Sequence, residues 1–141
     1  MKRTILLLLV LIFIGITGCE VPHKKEMLEI CSNDENYITL GGEIIEINDM
    51  DANYAFFVVT IKCEELKQYV LYENDVCRYW IFSEENINIQ EGDIVSFTTV
   101  DVLMFFDWLP IVSITKDNIS LLEFNEGKNN LINFVYQLQY K

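Results

Sequence analysis

The chain has 141 residues, of which 51% are hydrophobic, and it carries 22 acidic residues against 10 basic ones. This length suits one domain with a single sizeable core, so a second domain is not expected. The acidic excess repels phosphate backbones, which disfavours non-specific nucleic-acid binding and favours solubility and cationic partners. An acidic, solvated surface without any partner would explain the same composition.

The first residues of the chain indicate its location. Lys2 and Arg3 precede an apolar run from Ile5 to Ile14, which is shorter than the roughly 20 residues that a membrane-spanning helix needs. A basic start followed by a short apolar run is typical of a secretory signal peptide. The alternative interpretation is a single-pass membrane anchor with an incidental cysteine.

The four residues after this run are Ile16, Thr17, Gly18 and Cys19, and they resemble the end of a bacterial lipoprotein signal. The resemblance implies cleavage after Gly18, attachment of lipid to the Cys19 thiol, and acylation of the new amino group, for example with palmitate. Several acyl chains would make the attachment effectively permanent. The protein would then lie outside the cytoplasm, on the cell membrane or the outer membrane.

Cleavage would divide the chain into a signal peptide (1–18), a lipidated tether (19–36) and a β domain with a C-terminal extension (37–141). Loss of Lys2 and Arg3 with the signal leaves 8 basic residues against 22 acidic ones, a formal charge of −14. The tether is predicted to be a spacer that could hold the domain tens of ångströms from the membrane, at ~3.3 Å per residue. Its only apolar cluster, around Met27 to Cys31, could form one helical turn on the domain.

From Tyr37 onward, alternating apolar and polar residues predict five β-strands. These are Tyr37 to Ile47, Tyr54 to Cys63, Cys77 to Phe82, Ile94 to Val102 and Ile111 to Thr115. The apolar positions of the first strand change phase near Gly41 and Gly42, which predicts a bulge or a bend at the two glycines. Near the C-terminus, Leu131, Val135 and Leu138 fit one face of a helix, with Asn129 or Asn130 as its cap.

This arrangement resembles the OB-fold, a five-stranded Greek-key barrel, over about Tyr37 to Lys116. The predicted fold class is therefore mainly β: an OB-like barrel with a possible C-terminal helix. A small antiparallel sheet or sandwich is the alternative. Taken whole, the chain resembles a small bacterial lipoprotein with an OB-fold-like domain.

The resemblance to the OB-fold implies a ligand-binding groove on the second and third strands, between the loops after the first and fourth strands. The candidate groove residues are Tyr54, Arg78, Trp80, Phe105, Phe106 and Trp108. Aromatic rings stack on sugars, bases and peptide side chains. The competing interpretation is that at least three of the five aromatic residues are buried in the core.

The cysteines other than Cys19 leave two interpretations open. Cys63 closes one predicted strand and Cys77 opens the next, so a disulfide between them is reasonable, and closing a loop of about 15 residues would contribute ~3 kcal/mol. Alternatively these two cysteines and Cys31 are all buried thiols.

No catalytic residue, metal ion or cofactor is predicted. The only histidine lies in the tether, and the chain has no nucleophile elbow and no CxxC pair. Asp49, Asp51 and Asn53 have the spacing of a calcium loop, but Tyr54 and Thr60 occupy the positions that would need glycine and glutamate.

The expected function is that of a non-enzymatic, membrane-anchored module of the cell envelope that binds protein, peptide or glycan. The alternative is an OB-type nucleic-acid-binding protein at the cell surface. Contacts to several phosphates need clustered cations, and the predicted barrel has only Lys62, Lys67, Arg78 and Lys116. Nucleic acid is therefore the less expected partner.

Overall fold

A computed structural model describes residues 24–51, 56–65, 76–83, 87–100 and 108–138. In chain order the elements are α1 (Lys24–Ser32), a short 3-10 helix (Asp34–Asn36), β1 (Tyr37–Asp51), β2 (Phe56–Lys62), β3 (Val76–Phe82), β4 (Ile94–Val100), β5 (Trp108–Lys116), β6 (Ile119–Leu122) and α2 (Phe124–Gln137). Among these residues, no helix is both long enough and apolar enough to cross a membrane.

The strands form a closed barrel, which confirms the predicted OB-like fold. They are ordered β3-β2-β1-β4-β5-β6, and a parallel pairing of β3 with β5 closes the barrel. The long first strand serves both halves of the barrel, because Tyr37 to Glu43 pair with β4 and Glu43 to Asp51 pair with β2. This sharing of β1 allows five strands to enclose one core.

The register shifts of β1 do not lie at the two glycines, where the sequence predicts a bulge or a bend, so the bulge part of that prediction is wrong. The register with β4 is unbroken through Gly41 and Gly42, whereas the register with β2 shifts between Ile44 and Glu46. Ile45 is therefore the inserted residue, and its side chain is 43% exposed. Gly42 has a different role: a β-carbon there would lie 2.5 Å from Cγ2 of Ile61, so this position allows β1 and β2 to approach closely.

One hydrophobic core fills the barrel. Its fully buried members include Ile44, Val59, Ile61, Tyr79 and Phe97. The rings of Tyr79 and Phe97 meet edge to face, with 5.0 Å between their centroids. These residues come from β1, β2, β3 and β4, so the alternating pattern of each strand supplies one wall of the same core.

A second hydrophobic core lies outside the barrel, between the strands and the two helices. Its buried members are Met27, Cys31, Phe82, Val100, Val112, Leu131 and Val135. The predicted C-terminal helix is confirmed, but it begins at Phe124, with Glu123 as its N-cap, and not at Asn129 or Asn130. Gly127 lies inside the helix, where a β-carbon would meet the backbone of Val112 in β5.

The segment from Lys24 to Asn36, predicted as part of the spacer, is folded onto the domain. Met27 and Cys31 of α1 are buried in the second core. The Tyr37 hydroxyl donates a hydrogen bond of 2.7 Å to the Cys31 carbonyl oxygen, and Lys128 of α2 donates one of 3.0 Å to the Ser32 carbonyl oxygen. The folded domain thus includes α1.

The strand β6 was not among the predicted elements. It follows β5 through a two-residue turn at Asp117 and Asn118, whose φ angles are 53° and 60°. Positive φ at both central residues is the geometry of the tight turns that join antiparallel strands, and Asp and Asn tolerate it better than most residues do.

Candidate functional site

The candidate site is the outer surface of β1, β2 and β3, which are strands of the ligand-binding surface in OB-folds. Residues that pair directly across neighbouring strands point to the same side of the sheet. The register places three rows on the outside, Glu43–Lys62–Val76, Glu46–Thr60–Arg78 and Asn48–Val58–Trp80. We call these nine residues the outer face.

The first row of the outer face is the most open to solvent. Glu43 and Lys62 are exposed, and Val76 is 40% exposed. Beside this row lies an open depression of about 500 Å³, which Glu64 and Glu65 also line. The rim of a protein interface is polar and solvent-accessible, as the charged side chains of this row are.

The second row contains the predicted site residue Arg78. Its side chain is exposed, and its backbone lies opposite Thr60 on one side and opposite Trp108 of β5 on the other. The Thr60 hydroxyl donates a 3.4 Å hydrogen bond to Oε2 of Glu46. The structure therefore brings Arg78 and Trp108 together in register, although the Trp108 side chain lies outside the described part.

The third row ends at Trp80, which is half-buried at the border between the outer face and the second core. Its ring meets Phe82 at 6.3 Å and Phe134 of α2 at 5.8 Å between centroids, both edge to face. Because α2 packs against Trp80, part of its ring is covered, and its role as a groove residue stays a prediction. The sequence pattern does not indicate that the C-terminal helix contacts this face, because Trp80 and Phe134 are far apart in the chain.

The other predicted groove residues, Tyr54, Phe105 and Phe106, lie outside the described residues, as does Cys19. Their roles stay predictions. Tyr54 belongs to the connection between β1 and β2, and Phe105 and Phe106 belong to the connection between β4 and β5.

The predicted disulfide also stays a prediction. Cys63 is buried, and Cys77 lies opposite Ile61 in the β2–β3 register. The Cys77 side chain is outside the described part. Cys31 is a buried thiol in the second core, where burial raises its pKa to about 12 against the opposing effect of the Lys128 charge. A thiol that stays protonated at neutral pH is a poor nucleophile.

The ion pair between Asp93 and Lys116 lies at the turn before β4, and neither residue belongs to the outer face. Lys116 Nζ lies 2.7 Å from Oδ2 of Asp93, and the Gln90 backbone N–H donates to the same oxygen at 2.8 Å. The pKa of Asp93 is lowered, chiefly by the hydrogen bond from Lys116. These contacts fix the turn around Gly92, whose φ is +87°.

The described ranges contain no group of three or more His, Cys, Asp or Glu side chains placed to hold a metal ion. In comparisons with known proteins, no family model, no curated protein and no solved structure matches this chain. The chemistry of the outer face is therefore the basis for a functional assignment.

Proposed function

We propose that this chain is a lipid-anchored protein of the bacterial cell envelope whose outer face binds a protein, peptide or glycan without catalysing a reaction. The observation that carries the binding role is the exposed row Glu43–Lys62–Val76, next to Arg78, on strands that form the ligand surface of OB-folds. The anchoring role rests on the residues up to Cys19.

The charges of the outer face favour a polypeptide partner. The face and its neighbouring depression carry Glu43, Glu46, Glu64, Glu65, Lys62 and Arg78. This excess of carboxylates repels phosphate and attracts basic side chains, while Arg78 can pair with a carboxylate. A polypeptide offers both kinds of group.

A glycan is less favoured than a polypeptide, and a nucleic acid less still. Sugars and bases bind to open aromatic surfaces, and Trp80 contacts Phe82 and Phe134. Tight nucleic-acid binding also needs several phosphate contacts from Lys and Arg, and the outer face together with its neighbouring depression offers Lys62 and Arg78 among four carboxylates.

The lipid anchor is tested by the intact mass of protein extracted from membranes. The mature form should lack residues 1–18 and carry added acyl mass. A Cys19→Ser variant should show neither change, because the thiol is the site of lipid attachment. Normal processing and membrane attachment of Cys19→Ser would contradict the anchor.

The binding role is tested by titrating detergent-solubilised mature protein with envelope protein extract, envelope glycans and single-stranded DNA. We expect binding to a polypeptide, weakened by Arg78→Ala. The matched control is Ser120→Ala, because Ser120 is exposed on β6 and lies outside the outer face. Tight DNA binding near physiological salt that is lost in Arg78→Ala would contradict the proposal.

A further inference from the structure

The start of α1 and the end of α2 meet at one pole of the molecule. Lys24, the first residue of α1, donates a hydrogen bond through Nζ to the carbonyl oxygen of Tyr136 near the end of α2. The same nitrogen lies 5.7 Å from the centroid of the Tyr136 ring. We call Lys24, Lys25 and Tyr136 the entry pole, because the chain enters the fold there from Cys19.

The side chains of the entry pole are suited to a phospholipid surface. The Lys25 side chain is 88% exposed, and Tyr136 is 60% exposed. Tyrosine and lysine are the amphipathic side chains that place an apolar part at a membrane interface and a polar tip among the head groups. Lys25 has Glu29 at 3.9 Å, an exposed pair of the kind that contributes little to stability.

The length of chain before α1 keeps the entry pole close to any membrane that holds Cys19. Four residues separate Cys19 from Lys24, so the two α-carbons are at most ~18 Å apart even in a fully extended chain. The predicted spacer of residues 19–36 would have allowed a much greater separation. Because α1 is folded onto the domain, most of that reach is lost.

We infer that the entry pole rests against anionic phospholipid head groups and so holds the barrel in one orientation on the membrane. This inference rests on the proposed lipid anchor at Cys19. With a formal charge of −14 on the mature chain, much of the remaining surface is repelled by an anionic bilayer. Glu26 and Glu29 offset the two lysines locally, so the contact orients an anchored molecule and does not recruit an unanchored one.

The test compares how close two positions lie to the bilayer: position 136 near the end of α2, and position 120 on β6. Mature protein with confirmed acyl mass is placed in vesicles of phosphatidylglycerol and phosphatidylcholine, or of phosphatidylcholine alone, that contain a head-group quencher. A fluorescent amino acid is introduced at position 136 or, as the control, at position 120. Position 120 precedes α2, whose axis extends ~18 Å from Phe124 to Tyr136.

We expect stronger quenching at position 136 than at position 120 in the anionic vesicles. Lys25→Glu should reduce the ratio of quenching at position 136 to quenching at position 120 by at least about five-fold. This is the factor expected for the loss of one lysine at an anionic surface, and the new carboxylate adds repulsion. Lys62→Glu makes the same charge change on the outer face and should leave the preference intact.

Equal quenching at the two positions, or a preference that Lys25→Glu does not change, would overturn the contact while leaving the lipid anchor in place. If position 136 were quenched more strongly than position 120 to the same extent in vesicles of phosphatidylcholine alone, the role of anionic head groups would be overturned. Absence of acyl mass would overturn the anchor, and the contact with it, before any vesicle is prepared.

Discussion

At the scale of single residues, two neighbouring glycines in β1 have different roles. A β-carbon at Gly42 would lie 2.5 Å from Cγ2 of Ile61 and 2.8 Å from the Lys62 carbonyl oxygen, whereas one at Gly41 would meet nothing within 4 Å. Gly42→Ala should therefore lower the free energy of unfolding by roughly 1–3 kcal/mol through overpacking. Urea denaturation measures this change.

Gly41→Ala is the matched control for Gly42→Ala. It adds the same methyl group to the adjacent residue, and its effect should stay within about 0.5 kcal/mol, as for most surface substitutions. Equal losses in the two variants would show that strand flexibility, and not the contact with β2, requires glycine here.

The Asp93 carboxylate gives the stability a specific pH dependence. Its pKa is lowered in the fold, first by the hydrogen bond from Lys116. Because this pKa is lower than the usual aspartate value near 3.8, the ionised Asp93 carboxylate stabilises the fold at pH values above 3.8. This contribution is lost as the pH falls through the folded-state pKa. Acid should therefore weaken the fold partly by protonating Asp93.

Asp93→Asn should lower stability at neutral pH and flatten the loss of stability between about pH 5 and pH 2, because one titrating carboxylate is removed. Urea unfolding across this pH range measures how steeply the free energy of unfolding changes with pH. Asp117→Asn changes an exposed aspartate in the β5–β6 turn and serves as the control. An unchanged slope in Asp93→Asn would contradict this role of the carboxylate.

At the scale of elements, the docking of α2 on the barrel depends on Gly127. A β-carbon there would lie 2.6 Å from the carbonyl carbon of Val112, and that backbone cannot move without disturbing β5. Gly127→Ala should destabilise the protein by roughly 1–3 kcal/mol or more. Asn129→Ala, on the exposed side of the same helix, should have an effect within about 0.5 kcal/mol.

A denaturation series of these two variants checks the docking of α2. The close approach of α2 to β5 would be contradicted if Gly127→Ala and Asn129→Ala changed the free energy of unfolding equally. It would also be contradicted if Gly127→Ala stabilised the protein, as alanine in place of glycine normally does in a helix.

The sequence predicts elements well where a pattern is local. Alternation in Ile94–Val100 identifies β4, and the spacing of Leu131 and Val135 identifies α2. The start of α2 was missed because Gly127 suggests a break, while in the fold it permits contact with β5. The helix α1 has two fully buried positions, Met27 and Cys31, and two positions are too few to establish a helical period.

Long-range contacts explain why the candidate site was only partly predictable. Arg78 and Trp108 meet through the parallel β3–β5 pairing, and Trp80 packs against Phe134 of α2. No local pattern encodes either contact, because the partners lie on elements far apart in the chain. The sequence suggested the strands of the face, but it could not show that a helix packs against one end of it.

At the scale of the whole molecule, the barrel and the two helices present two surfaces with different chemistry. The outer face carries Glu43, Lys62 and Arg78 with exposed Val76, and we propose that it binds a polypeptide. The entry pole carries Lys25 and Tyr136, and its first residue, Lys24, follows the proposed lipid-attachment site Cys19 by five positions in the sequence. Separate surfaces would allow an anchored protein to hold its position and bind a partner at the same time.

The most direct test of the binding role is photo-crosslinking in living cells. A photoreactive amino acid replaces Lys62 on the outer face or, as the control, Ser120 on β6, and mass spectrometry identifies the adducts. We predict a defined polypeptide adduct from position 62 that is absent from position 120 and is reduced by Arg78→Glu. Identical adducts from both positions, or adducts only to nucleic acid, would contradict the account.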